Sequence, residues 1–173
     1  MGEVKSNIYL TGFMGVGKSA VGRELGRRLK RPFVDLDAAI EKSAGSTVAA
    51  LFERRGERAF RTLERKALVA VSKKKGVIVA LGGGALLDVR NRKTVDETGI
   101  LVRLTCSRRE LVRRLRPHRE HRPLLAGGSL DERVTRLISA RRRAYGKAGL
   151  TVSTTKISNA AAAALIARRC HDR

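Results

Sequence analysis

The stretch Gly12-Phe13-Met14-Gly15-Val16-Gly17-Lys18-Ser19 satisfies G-x-x-x-x-G-K-[ST] in full. Glycines at these positions let the backbone curl until successive N–H groups point inward at phosphate oxygens, and the dipole of a following helix adds positive potential there. Lys18 is placed to reach the β- and γ-phosphates of a nucleoside triphosphate, and the Ser19 hydroxyl to ligate Mg2+. The candidate nucleotide-binding residues are therefore Gly15, Val16, Gly17, Lys18, Ser19 and Ala20. The competing reading is a Gly-rich turn that holds nothing. Context disfavours it, because Asn7-Ile8-Tyr9-Leu10 reads as a strand before the loop and Ala20 to Leu29 as a helix after it.

Two further clusters carry chemistry. Asp35 and Asp37 close the apolar run Phe33-Val34-Asp35-Leu36-Asp37. Spaced by two on an extended chain, both carboxylates can point the same way, one toward a metal ion and one toward an acceptor hydroxyl. Asp37 also reads as the N-cap of a helix beginning at Ala38, a role compatible with chemistry. Gly82-Gly83-Gly84 follows a third apolar run, where a strand-to-helix turn needs one glycine. Three in a row suggest close approach of an anionic or polyhydroxylated ligand to backbone N–H groups, against the plainer reading of a flexible connector.

The elements that must position these residues follow from periodicity. Short β-branched runs near Asn7–Leu10, Phe33–Asp35, Val77–Leu81, Ile100–Leu104 and Leu150–Val152 alternate with longer helical patterns, the mark of βαβ construction and a parallel sheet. In such a sheet the carboxyl ends of the strands face the ligand crevice. The clearest helix runs from Glu57 to about Lys74, with Phe60, Leu63, Ala67 and Val71 as an apolar stripe and Glu57, Arg61 and Glu64 along its edge. Arg116 to Ser129 holds two prolines, two glycines and several arginines, reads as too polar for the core, and is expected to be a mobile loop.

A phosphate loop is shared by small-molecule kinases, GTPases, motors and ATPases. No base-reading N-K-x-D is present, and the length leaves little room for coupling elements. The ordered set of the phosphate loop, Asp35-x-Asp37, Phe52 with Gly56-Glu57-x-x-Phe60-Arg61, Gly82-Gly83-Gly84, Arg122-Pro123-Leu124-Leu125 and Arg141-x-x-x-Tyr145 resembles the shikimate kinases, over about Asn7 to Tyr145. The resemblance implies the α/β fold of the nucleoside monophosphate kinases, three layers around a five-stranded parallel sheet in order 2-3-1-4-5. It also implies transfer of the γ-phosphoryl group of ATP to the 3-hydroxyl of shikimate.

Residue by residue, the resemblance gives Lys18, Asp37 and Arg122 catalytic roles and assigns Ser19 and Asp35 to Mg2+. Asp37, Arg61, Gly83, Gly84 and Arg141 become acceptor-binding, with the two arginines clamping the acceptor's carboxylate, and Glu64 orients the Arg61 region. Arg122 becomes a lid arginine on the γ-phosphate, within a lid at 116–129, while 37–62 forms a small acceptor-binding helical region of a single domain, 1–173. The chain departs from the family in having Arg143 where a proline is usual, which leaves Arg141 and Arg142 as alternatives for the pocket. Apart from Asp35 no strand ends in an apolar run plus aspartate, so Mg2+ must rely on Ser19, Asp35, water and ATP. Thr155 to Asn159 occupies the expected adenine-contacting loop. Within the lid, Arg119 is expected to be a solvated surface residue.

Composition bounds the rest. The chain has 173 residues, 42% hydrophobic but only 3% aromatic and without Trp, so one domain with an aliphatic core is expected. Cys106 and Cys170 stand apart and are expected to be buried thiols; His118 and His121 sit three apart, but among arginines that would repel a metal ion. No secretory signal or spanning run is evident, which gives a cytoplasmic location and no membrane partner as expectations. A monomer is expected because no heptad pattern appears. The net charge of +22 exceeds what binding two anionic substrates needs. A nucleic-acid-binding ATPase is the competing class, disfavoured by the lack of an aromatic stacking platform; a kinase for another hydroxy acid such as gluconate is the nearer alternative.

Overall fold

The computed structural model describes residues 6–119, 123–125, 127–145 and 148–171. Five strands, β1 (Asn7–Thr11), β2 (Phe33–Asp35), β3 (Ile78–Ala80), β4 (Gly99–Thr105) and β5 (Leu150–Ser153), form one sheet in the order β2-β3-β1-β4-β5. All four pairings are parallel, with Tyr9 of β1 opposite Val79 on one side and Leu101 on the other. The helices are α1 (Lys18–Leu29), α2 (Leu36–Ala44), α3 (Val48–Ser72), α4 (Val89–Thr98), α5 (Arg108–Leu115), α6 (Leu130–Tyr145) and α7 (Asn159–His171). The expected strand order and every expected strand are present.

Period-two alternation divides the core between the two faces of the sheet. Ile8 and Leu10 of β1 and Val102 and Leu104 of β4 meet Val21 and Leu25 of α1, Leu111 of α5, Val134 of α6 and Ile166 of α7. Tyr9, Val79 and Leu101 face the other way, onto Leu36, Ile40, Phe60, Leu68 and Val95. From β1 the chain runs out to the edge strand β2, returns through β3 and then crosses to β4 and β5 on the other side of β1, and the crevice of a doubly wound sheet opens at that reversal.

Several expectations are corrected. The helix expected from Glu57 is joined to a preceding one into α3, and the junction is Gly56, whose φ of 74° and ψ of 169° no helical residue adopts. Asp35, not Asp37, caps α2, its Oδ1 accepting from Ala38 N at 3.3 Å, so Asp37 lies in the first turn. The segment 116–129 is not uniformly polar surface: Leu125 is wholly buried in the larger core cluster. Arg119 is half-exposed but tethered, donating to the carbonyls of Leu125 at 3.1 Å and Gly128 at 2.5 Å. Cys106 and Cys170 are only half-buried. His121 lies outside the described residues.

A buried polar residue at the start of β1 was not expected. Asn7 is fully buried, donates from Nδ2 to Lys74 O at 2.8 Å and Ser72 O at 3.3 Å, and accepts from Val77 N at 2.9 Å. It thereby fixes the end of α3 to the sheet. Asn7→Ala would strand three buried or partly buried backbone groups, each costing about 1–3 kcal/mol if left unpaired. Urea unfolding of this variant should show a loss of at least about 2 kcal/mol, and an unchanged midpoint would refute the role.

Candidate active site

The phosphate loop joins β1 to α1. Gly17, immediately before α1, has φ 96°, a left-handed conformation that favours glycine. No side chain caps α1 and no acidic residue occupies its first turn, so its N–H groups and dipole face the cleft. Lys18 Nζ lies across the loop, donating to Gly12 O at 2.9 Å and Phe13 O at 3.2 Å. The loop is also held from behind, since Thr154 Oγ1 donates to Val16 O at 2.8 Å and Arg114 Nη1 to Gly15 O at 3.4 Å. Gly15, Gly17, Lys18, Ser19 and Ala20 all line the cleft. Val16 does not: its side chain is buried in the core and its N–H is turned to Phe13 O at 3.4 Å.

Ser19 Oγ donates to Asp35 Oδ2 across the junction of loop and β2. A hydroxyl and a carboxylate so placed are hard oxygen donors of the kind Mg2+ accepts. Among the described residues no group of three or more His, Cys, Asp and Glu is clustered for a metal, so water and phosphate oxygens would complete the shell of an ion held there. The fit is that of Mg2+ rather than of an ion needing an all-protein cage.

Asp37 lies deeper. Burial pushes its carboxyl above the ordinary range, Lys18 opposes the rise, and Asp35 and Glu41 add to it. Arg61 reaches the same space from α3, donating from Nη1 to Glu64 Oε2 at 2.8 Å and from Nη2 to Glu57 Oε1 at 3.0 Å. Its guanidinium also lies 5.4 Å from the Phe60 ring centre and 5.9 Å from that of Phe52. Glu64 has no exposed side-chain surface and its Oε1 has no donor, and burial raises its pKa against the pull of Arg61. Arg141 is buried and donates to Gly83 O at 3.2 Å, beside Tyr145, whose hydroxyl donates to the same carbonyl.

The glycine triplet now has a cause that sequence alone did not reveal. A Cβ at Gly82 would stand 2.5 Å from Glu64 Oε1 and 2.8 Å from Asp37 Oδ1, and one at Gly84 2.5 Å from Arg61 Nη2. A Cβ at Gly83 would lie 3.2 Å from Arg141 Nη1. The chain's own charged groups press on the turn at Gly82 and Gly84, where a Cβ would push them aside, and less closely at Gly83.

One cleft of about 1200 Å3 gathers Lys18, Ser19, Asp35, Asp37, Arg61, Gly83, Gly84 and Arg141. Arg122 lies outside the described residues. Of the alternatives Arg141 and Arg142, Arg141 enters the cleft. Arg114, also in the cleft wall, escaped the sequence reading; its signal was the Glu110-x-x-x-Arg114 spacing, realised as an ion pair of 2.8 Å, hidden in an arginine-dense run. The arrangement places a phosphate cradle at one end and a pair of guanidiniums with a carboxylate at the other. That is the layout of a site that joins a nucleotide to an anionic hydroxylated acceptor.

Comparisons with known proteins agree. The family model for shikimate kinase matches residues 14–171. The shikimate kinase of Geobacter sulfurreducens is 45% identical over 148 residues, 86% of this chain and 81% of that protein, and that of Pelotomaculum thermopropionicum is 41% identical over 152 residues, 88% of each. Among solved structures, shikimate kinase from Acinetobacter baumannii in complex with shikimate superposes with a TM-score of 0.93 at 33% identity, covering 98% of this chain and 95% of that one. A gluconokinase from Sinorhizobium meliloti shares the fold alone, with a TM-score of 0.53 at 17% identity, over 99% of this chain and 98% of that one. On the family match and on identities above 40% across most of both chains, this protein belongs to the shikimate kinase family.

Proposed function

We propose that this chain transfers the γ-phosphoryl group of ATP to the 3-hydroxyl of shikimate. The observation that carries the reading is the cleft that gathers Asp37 with the Lys18 loop and the Arg61 and Arg141 guanidiniums. The ATP phosphates lie on the loop N–H groups and the start of α1, with Lys18 released from the Gly12 and Phe13 carbonyls to meet them. Arg61 and Arg141 grip the acceptor's carboxylate, and the N–H groups of Gly83 and Gly84 meet its hydroxyls. Asp37 accepts the proton of the reacting hydroxyl, a task its raised pKa suits. Ser19 and Asp35 would hold Mg2+, which when bound neutralises charge on the transferring phosphates. Arg122, from the 116–129 segment, acts on the γ-phosphate by closing over the cleft, and the helical region 37–62 serves the acceptor.

A second reading, a kinase for gluconate, is not favoured, because the relatives at 41% and 45% identity are shikimate kinases whereas the gluconokinase shares the fold alone. Among the described residues no helix is long and apolar enough to cross a membrane. We also propose a single cytoplasmic domain acting as a monomer without specific nucleic-acid recognition, on the absence of a heptad pattern and of aromatic stacking residues from the sequence.

The direct test is ADP release with shikimate, quinate and gluconate, with Lys18→Ala as the inactive control. Shikimate alone should support rapid turnover; ADP release that ignores every acceptor would sink the proposal.

For the clamp, Arg61→Lys is more informative than Arg61→Ala, which would leave Glu64 buried without a cation. Lysine keeps the charge but loses the fork. KM for shikimate should rise by roughly tenfold or more with a smaller change in kcat. An unchanged KM would remove Arg61 from the acceptor site.

Asp37 also yields a stability prediction. Its folded pKa stands above the ordinary aspartate value, so the folded state holds this proton more tightly than the unfolded chain. The associated stability is present below that value and is lost as pH rises through the folded pKa. Asp37→Asn cannot ionise, so it should melt at a higher temperature than wild type at pH 7, with the gap closing toward pH 4, while transfer is abolished. A lower melting temperature at pH 7 would contradict the assignment.

A further inference from the structure

Behind Arg61, on the outer side of α3, lies a second concavity of about 670 Å3 that the proposed reaction does not use. Arg58, Arg65 and Lys66 line it from α3, Lys73 from the residue that caps α3, and Arg90 from the start of α4. Offsets of 7, 8 and 15 residues from Arg58 keep these first four cations near one stripe, roughly 22 Å long at the helical rise. The acids of the helix that could balance them turn elsewhere, Glu57 and Glu64 both onto Arg61. Asp88 pairs with Arg90 at 2.8 Å and lies within electrostatic reach of Arg65, whose own hydrogen bond goes to the amide oxygen of Asn91 at 3.4 Å. Among the described residues, no carboxylate comes within 4.0 Å of Arg58, Arg65, Lys66 or Lys73.

A row of like charges on one helix is a standing repulsion that a linear polyanion relieves, and the counterions it releases favour binding. The floor of the groove narrows the choice of ligand. It consists of Thr62, Val69 and Ala70, with no aromatic ring on which a nucleobase could stack. It also lacks the aromatic or large aliphatic anchor that the centre of a protein interface requires. What remains is recognition of closely spaced, unbranched negative charge.

We propose that the α3 groove is an anion site separate from the catalytic cleft, and that its ligand is inorganic polyphosphate. The site shares only Arg61 with the cleft, and its occupancy is independent of whether the chain phosphorylates shikimate.

The test is fluorescence anisotropy of an end-labelled polyphosphate chain titrated with the full-length protein over a series of salt concentrations. Lys66→Glu/Lys73→Glu is compared with Arg168→Glu/Arg169→Glu, an equal charge change on the exposed face of α7. The groove variant should bind at least roughly tenfold more weakly, with the slope of log affinity against log salt reduced by about two, and the α7 variant should lose no more than about twofold. Thermal unfolding checks that both variants fold; should the charge reversal fail that check, Lys66→Gln/Lys73→Gln replaces it, with about half the effect expected. Equal losses in the two variants would show a mere net-charge effect and overturn the proposal. So would tighter binding of single-stranded RNA of the same phosphate number, or no measurable binding of polyphosphate.

Discussion

Glu64 has no contact with solvent and faces a guanidinium at 2.8 Å, and much of the acceptor side of the cleft follows from that pair. Removing a carboxylate from water costs several kcal/mol, which an ion pair recovers only with good geometry and further hydrogen bonds. Here one oxygen of Glu64 is bonded to Arg61 and the other has no donor. The pair therefore fixes where Arg61 points more than it stabilises the fold. Once Arg61 is fixed, the turn after β3 must pass beneath it without side chains, and Asp37 is enclosed beside a second buried acid. In the proposed reaction the arginine is therefore in position before the acceptor arrives, so little of the acceptor's binding energy goes to ordering it.

The fold was readable because its signals are local. Five short apolar runs, a complete phosphate-loop pattern and the glycines between them are properties of neighbouring residues, and they carried the strand order through the family resemblance. What stayed hidden depends on residues far apart in the chain. Asn7 reads as an ordinary polar residue at a strand edge until the end of α3 is brought against it. The three glycines read as space for a ligand, since nothing local says that Glu64, Arg61 and Arg141 arrive from two other helices to fill it. In the stretch 108–122 arginine is so frequent that its members are indistinguishable by pattern. Yet Arg114 braces the phosphate loop and Arg119 ties the segment to Leu125 and Gly128.

The acids have a similar logic. Many of the 16 lie one helical turn from an arginine, as in Glu24 with Arg27 at 2.6 Å and Asp96 with Arg92 at 2.7 Å. Glu110, gripped by Arg113 and Arg114, has its pKa drawn down to about 2. Exposed pairs of this kind add little stability each. Their main effect is to localise negative charge on short helical segments, which leaves the outer groove of α3 lined by cations without an acid.

The Lys18 ammonium, resting on the Gly12 and Phe13 carbonyls, sets an entry condition for the nucleotide site. An incoming anion must offer more than the two backbone oxygens it displaces. A monovalent ion or a lone phosphate recovers little beyond them, whereas a triphosphate engages the ammonium, the loop amides and the helix start at once. The loop thus discriminates by multiplicity of charge, and abundant small anions are poor competitors for a site that is otherwise strongly attractive to them.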